Sequence, residues 1–211
     1  MAEPLLYTYF RSGAAHRVRI ALALKGIAYR SAPIHLVRGE QLHPEFRAIN
    51  PQARLPAFQL PDGEILIQSS AILEYLEETT PEPPLLPAGP IERAKVRGVA
   101  AIIGCDIHPL NNVAALNALR SLGQDPDAIQ AWIADWITRG FSAVEQLIAA
   151  EEWCFGALPG LADIYLVPQI FSARRFKVDL ESYPRIRRIE ALAAAHPAFI
   201  AAAPEHQADA Q

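Results

Sequence analysis

Cysteine is nearly missing from this chain. Cys105 and Cys154 are the only two in 211 residues, too few and too far apart for a disulfide framework or a four-cysteine zinc site, so a reducing cytoplasm is the expected setting. A secretion signal is missing as well: Met1-Ala2-Glu3-Pro4 has no basic segment followed by an apolar run and cleavage site. No apolar stretch approaches the ~18 residues a membrane span needs, so no membrane partner is expected. Nor is there an excess of one charge. Against 23 Asp+Glu stand 19 Lys+Arg, a net of -4, which gives no global field for a polyanion; nucleic acid is not an expected partner. Any anion site must be local. Lysine is scarce too, with Lys25, Lys95 and Lys177 the only ones, so the basic side chains are mostly arginine, suited to bidentate contact with carboxylate or phosphate. What is present in quantity is apolar material, 51% of residues, enough to bury a core in one large domain or two small ones.

Hydrophobic periodicity divides the chain. Leu5 to Phe10 and Ala28 to Leu36 read as strands, with a helix over Val18 to Lys25 between them that Gly26 closes. Pro44 to Ile49 reads as a short helix. Pro56 to Leu60 and Glu64 to Ile67 read as a hairpin around Pro61-Asp62-Gly63, followed by a helix through Glu78 with Ser69 or Ser70 as its cap. The order β-α-β-α-β-β-α fills residues 1–80. Five prolines in Thr80 to Pro90 form a stiff linker over 81–90. From 91 to 211 the spacing is helical, predicting an all-helical second domain with a frayed stretch at Pro204 to Gln211.

The chemistry-bearing residues cluster in a few segments. Arg11-Ser12-Gly13-Ala14-Ala15-His16-Arg17 joins the first strand to the first helix, and with Arg19 it places basic groups where a helix dipole favours acids. Two readings are open: an anion held by the first-turn amides with Ser12 as cap and Gly13 allowing close approach, or a plain cap whose arginines pair elsewhere. Gln68-Ser69 offers a second helix start that could hold a carboxylate or merely cap the helix. Pro56 opens a strand, where proline is tolerated. Asp106 and His108, two residues apart, do not share a helix face, which argues against a metal site. Pro109 should kink or restart the helix there. Arg174-Arg175 are either ligand cations or favourable charges at a helix C-terminus. Trp132 and Trp136 read as core, and Cys154 as an inert buried thiol.

Six segments carry a resemblance in this order: YFRSGAAHRVRIALALKGI (9–27), AINPQARLPAF (48–58), IQSSAILEYLEE (67–78), GCDIHPLNN (104–112), LADIYLVPQ (161–169) and ARRFKVDL (173–180). They resemble the zeta-class glutathione transferases of the maleylacetoacetate isomerase family over nearly the whole chain. The resemblance implies an α/β plus all-α chain, with a thioredoxin-like N-terminal domain and a glutathione-transferase-type helical C-terminal domain, acting as a homodimer with glutathione as catalytic cofactor. It implies that Ser12 stabilises the glutathione thiolate, that Leu55 ahead of a cis-Pro56 pairs with the cysteinyl part, and that Gln68 and Ser69, with Gln52 nearby, hold the γ-glutamyl end. It assigns His108 and Asn112 to the same ligand, and Arg11 with Arg174 or Arg175 to the carboxylates of a diacid substrate. The implied reaction is cis-trans isomerisation of maleylacetoacetate to fumarylacetoacetate, or of maleylpyruvate to fumarylpyruvate, in tyrosine or aromatic-compound catabolism. A conjugating transferase and a glutathione-binding protein without turnover are the alternatives.

Two departures from the family pattern stand out. Its Ser-Ser-Cys-Ser run is Ser12-Gly13-Ala14-Ala15 here, so chemistry needing a protein thiol at that place is not implied. Bacterial maleylpyruvate isomerases are similar to this chain in having a Ser-Gly start and a following His. The hydroxyl cap of the core helix is replaced by Gly160-Leu161-Ala162-Asp163, and Gly160→Ser is accordingly expected to raise the melting temperature.

Overall fold

The computed structural model describes residues 3–210, which form two compact units: residues 3–84 together with 195–210, and residues 85–194. Within the first unit the strands β1 (Leu5–Thr8), β2 (Arg30–Pro33), β3 (Ala57–Gln59) and β4 (Ile65–Ile67) form one sheet in the order β2-β1-β3-β4. β1 runs parallel to β2, with Leu6 opposite Ser31, and antiparallel to β3, with Leu6 opposite Phe58; β3 and β4 make the antiparallel hairpin. The parallel pair requires a crossover, supplied by α1 (Gly13–Leu24). A Schellman closure ends α1: Gly26 takes φ +64, while its N–H donates to the Ala23 carbonyl and that of Ile27 to Leu22.

The two faces of the sheet follow from the two-residue alternation of β1, whose Leu6 and Thr8 are buried while Leu5 and Tyr7 are partly covered. On the Tyr7 face, Tyr9, Phe46 of α2 (Pro44–Ile49), Leu55 and Ala57 form a core cluster. α1 packs against α3 (Ser69–Thr79) and against α9 (Pro197–Ala202). Lys25, with its side chain wholly buried, bonds to Glu77 at 2.9 Å and to the carbonyls of Thr80 and Pro83, so all three ammonium donors are satisfied. That contact ties residues 80–83 of the proline-rich stretch to the first unit, whereas Leu85 and Leu86 are buried in the second.

The second unit is built on α4 (Pro90–Ala101), α5 (Val113–Ser121), α6 (Pro126–Leu147), α7 (Leu161–Arg175) and most of α8 (Pro184–Ala195). α7 is covered on nearly every side, from Leu161 to Ala173, as expected of the central helix of a bundle. Between α4 and α5 the chain passes through a π-helical turn (Ile102–Ile107) and a 3-10 turn (His108–Asn111). Pro109 forces this change, because it cannot donate to an α-helical ladder. The Trp132 indole N–H braces the break by donating to the Leu110 carbonyl at 2.9 Å. Trp132 is therefore half-buried and working as a donor rather than wholly in the core.

Three sequence expectations are corrected. The segment beyond Pro204 is not frayed: residues 195–210 belong to the first unit, not to the helical one, and Asp209 accepts the Phe10 N–H at 2.9 Å. The helical run Pro90–Ser121 is, by length and composition alone, apolar enough to cross a bilayer, because few charges interrupt it; within its unit it is bent at Pro109 and packs on α6 and α7. Finally, Gly160 is not a cap waiting for a hydroxyl. Asp163 is buried, and its carboxylate accepts the N–H groups of Gly160 (2.9 Å) and Cys154 (3.0 Å). A Cβ on Gly160 would stand 3.0 Å from the Leu85 carbonyl oxygen that receives the Leu161 N–H.

We therefore expect Gly160→Ala to lower the melting temperature by several degrees, corresponding to about 1–3 kcal/mol of overpacking. Gly160→Ser should recover only the fraction that capping contributes. A thermal scan in which Gly160→Ser melts above the parent protein would contradict this placement of Leu85.

Candidate active site

The loop from β1 to α1 carries the first two candidates. Ser12 caps α1 in extended conformation (φ -72, ψ 108), its Oγ accepting the Ala15 N–H at 3.3 Å. No acidic residue occupies the first turn, so the partial positive charge of the helix start has no anion of its own. Arg11 is exposed; it donates to the Tyr9 hydroxyl at 2.9 Å, and its guanidinium lies 5.7 Å from the Tyr9 ring centre and 4.9 Å from that of Phe10. It meets no carboxylate among the described residues. A guanidinium resting on aromatic faces keeps in-plane N–H groups for an incoming carboxylate.

The other basic residues of α1 are engaged inside the fold. Arg19, fully buried, donates to Ala202 O (3.0 Å), Thr8 Oγ1 (3.0 Å), Tyr9 O (3.4 Å) and Phe10 O (3.1 Å). Burial pulls its pKa down to about 10, with Tyr29 and Asp209 opposing, so it stays charged at neutral pH. Arg17 reaches across to α3 and donates to Ser69 Oγ at 3.4 Å. His16 is buried, its Nε2 without a partner among the described residues; burial first, then Arg19 and Arg17, press its pKa well below the usual value. It is neutral, not a cation. The run of basic residues read along the sequence thus reduces to Arg11 as the one side chain of this stretch presented outward.

The remaining first-unit candidates lie close together. Leu55 precedes a cis peptide bond to Pro56 and sits beyond the last paired residue of β3, so its backbone is outside the ladder. Asn50 holds that approach: its Nδ2 donates to the Arg54 carbonyl, and its Oδ1 accepts the Gln52 N–H at 3.0 Å. Sequence reasoning missed Asn50, although an Asn-Pro step is a recognised turn signal. Gln52 Oε1 accepts from Gln68 Nε2 at 2.6 Å. Gln68, and not Ser69 or Ser70, is the cap residue of α3, and it caps without its side chain. It takes φ 70, ψ 120 instead, a conformation that costs a non-glycine residue roughly 1–3 kcal/mol and persists only where the surroundings impose it. Ser69 is the first residue of α3, buried, with its hydroxyl receiving the Arg17 N–H; its own proton is left to donate.

In the second unit the candidates differ in how they are engaged. Asn112 caps α5, its Oδ1 taking the Ala115 N–H at 3.1 Å, which leaves its amide N–H groups. His108 opens the 3-10 turn. The neighbouring Asn111, which the sequence did not single out, is buried with neither amide atom partnered among the described residues. Arg174 and Arg175 are separated clearly. Arg174 makes a two-pronged ion pair with Glu190 (2.9 and 2.7 Å), whereas the Arg175 guanidinium lies 4.4 Å from the Phe176 ring centre. Of the two thiols, Cys105 is exposed, and burial beside Asp163 pushes that of Cys154 well up. Among the described residues no cluster of His, Cys, Asp and Glu could hold a metal.

A thioredoxin-like sheet with a cis-proline edge and two helix starts bearing hydroxyls, in a chain whose other unit is helical, defines a glutathione transferase. Residues 11–79 match the family model described as glutathione S-transferase, N-terminal domain. The chain is 57% identical to the maleylacetoacetate isomerase of Pseudomonas aeruginosa, covering 97% of each. A solved structure described as the holo form of maleyl pyruvate isomerase, a bacterial zeta-class glutathione S-transferase, matches with TM-score 0.95 and 49% identity over 98% of this chain and 100% of that one. The maleylacetoacetate isomerase of Anaeromyxobacter dehalogenans, solved with glutathione in its active site, matches with TM-score 0.90 and 42% identity over 99% of this chain and 98% of that one. The chain belongs to the maleylacetoacetate isomerase family of zeta-class glutathione transferases.

Because folded His16 resists protonation while unfolded His16 takes a proton near pH 6.5, its contribution to stability is complete above about pH 6.5 and is lost as pH falls toward the folded value. His16→Leu should flatten the fall in melting temperature between about pH 7.5 and 5.5. An unchanged slope in calorimetry would show that His16 does not carry it.

Proposed function

We propose that the chain is a glutathione-dependent cis-trans isomerase of maleyl diacids, acting on maleylacetoacetate or maleylpyruvate. The observation that carries this reading is the start of α1, where a hydroxyl cap and an acid-free first turn adjoin an outward arginine held by Tyr9. Such a start suits a thiolate, and such an arginine suits a carboxylate. The donor set fits glutathione. Its thiolate would lie at Ser12 and the first-turn amides, and its cysteinyl backbone against Leu55. Its γ-glutamyl end would be held by Gln68 and Ser69, with Gln52 fixing the Gln68 side chain.

When bound, glutathione supplies the thiol that adds reversibly to the substrate double bond, so that rotation can occur and the thiol is regenerated. The chain's own groups supply charge and position. Ser12 and the helix start hold negative charge at sulfur; Arg11 orients one substrate carboxylate. From the second unit we assign Arg175, whose guanidinium lies 4.4 Å from the Phe176 ring centre, as the other substrate cation. His108 and the Asn112 amide N–H groups are assigned to glutathione. A cytoplasmic homodimer working in tyrosine or aromatic-compound catabolism is the setting that family membership supports.

The test is turnover of both diacids, each with and without glutathione, by the parent protein, Arg174→Ala and Arg175→Ala. Glutathione-dependent turnover is expected. Arg175→Ala should lower kcat/KM for the diacid by at least ~10-fold, the scale of a hydrogen bond to a charged group, and leave conjugation of a neutral electrophile intact. Arg174→Ala should stay within about twofold, as for an exposed ion pair. Conjugation without diacid turnover would make the protein a transferase instead.

A further inference from the structure

The segment following α8 returns to the first unit, and its contacts fall on the loop that carries Arg11 and Ser12. Three consecutive residues leading into that loop, Thr8 at the end of β1 and then Tyr9 and Phe10, each offer an acceptor to the single guanidinium of Arg19, which also binds Ala202 O. Phe10 is held through both of its flanking peptide groups. Its carbonyl accepts from Arg19 at 3.1 Å, and its N–H donates to Asp209 Oδ2 at 2.9 Å. Asp209 is also close enough to Arg19 to favour its charge. Phe10 in turn leads directly into Arg11, whose guanidinium lies on the Phe10 ring, and Ser12 closes the turn by donating its N–H to Tyr9 O at 2.9 Å.

We infer that Asp209 and Arg19 are positioning residues of the isomerase site, and that the 197–209 segment is a working part of it. Neither residue is placed to touch substrate. Asp209 fixes the Phe10 amide, and so the direction in which the next two residues present a cation and a hydroxyl cap. Asp209 is partly exposed, so its substitution removes a hydrogen bond rather than core packing. The inference rests on the reading that Arg11 and Ser12 serve the isomerase.

Asp209→Ala and Asp209→Asn separate the hydrogen bond from mere bulk, because the asparagine oxygen still accepts the Phe10 N–H. In Asp209→Ala, kcat/KM for the maleyl diacid should fall about tenfold, the scale of a small misplacement of reacting groups, with the melting temperature little changed. Asp209→Asn should recover most of the loss. Arg11→Ala and Ser12→Ala are measured alongside. Full activity in Asp209→Ala, or equal losses in the alanine and asparagine variants, while Arg11→Ala is impaired, overturns the inference and leaves the site reading intact. Undiminished diacid turnover in both Arg11→Ala and Ser12→Ala overturns the site reading, and this inference with it.

Discussion

The first unit is organised around a charge that water never reaches. A buried guanidinium carries a desolvation cost of several kcal/mol, roughly, and is tolerated only where its donors are matched. Arg19 meets that condition with four oxygens, drawn from β1, from the loop after it and from α9. Because hydrogen-bond geometry is directional, satisfying one planar fork fixes three chain segments at once. The loop that presents Arg11 and Ser12 is therefore set by a residue two turns further along α1, and by a contact 183 residues away in sequence.

The basic residues divide by their surroundings. Lys25 is sealed with Glu77 and two carbonyls, Arg17 supports Ser69, Arg19 supports the loop, and Arg174 is matched by Glu190. Arg11 instead rests against the Tyr9 and Phe10 rings. Stacking holds a guanidinium in place without neutralising it, while an ion pair holds it and cancels its charge.

Elements set by local chemistry were legible in the sequence. The strand-to-helix unit at the start, the Schellman glycine at Gly26, the α2 segment Pro44–Ile49 and the hairpin around Pro61-Asp62-Gly63 all follow from neighbours a few residues apart. What escaped depends on partners far along the chain. Arg17, His16 and Arg19 look alike as basic letters, yet a bond to Ser69, burial with Nε2 unpartnered among the described residues and a cage of oxygens give them three different states. The return of residues 195–210 has no periodic signature, being short and broken by Pro197 and Pro204. Ser69 reads as a cap by composition, but Gln68 takes the strained position before it, a choice that only the contacts around Gln52 make visible. At Gly160 the missing hydroxyl looks like a defect until the Leu85 carbonyl is placed beside it.

The same division explains why the replacement of the family's first-turn cysteine by Ala14 does not empty the site. Gly13, Ala14 and Ala15 contribute no reactive atom, Ser12 Oγ is engaged with the Ala15 amide, and His16 is neutral and buried away from water. Nor can Cys154 serve, since burial holds it as a thiol. The start of α1 thus supplies dipoles, a hydroxyl and one cation, and no nucleophile of its own. On the proposed reading the nucleophile is one that arrives bound, and a helix start without acids is suited to keep an arriving thiol ionised. A side-chain thiol in the first turn would compete for those same amides; its absence leaves them to the ligand.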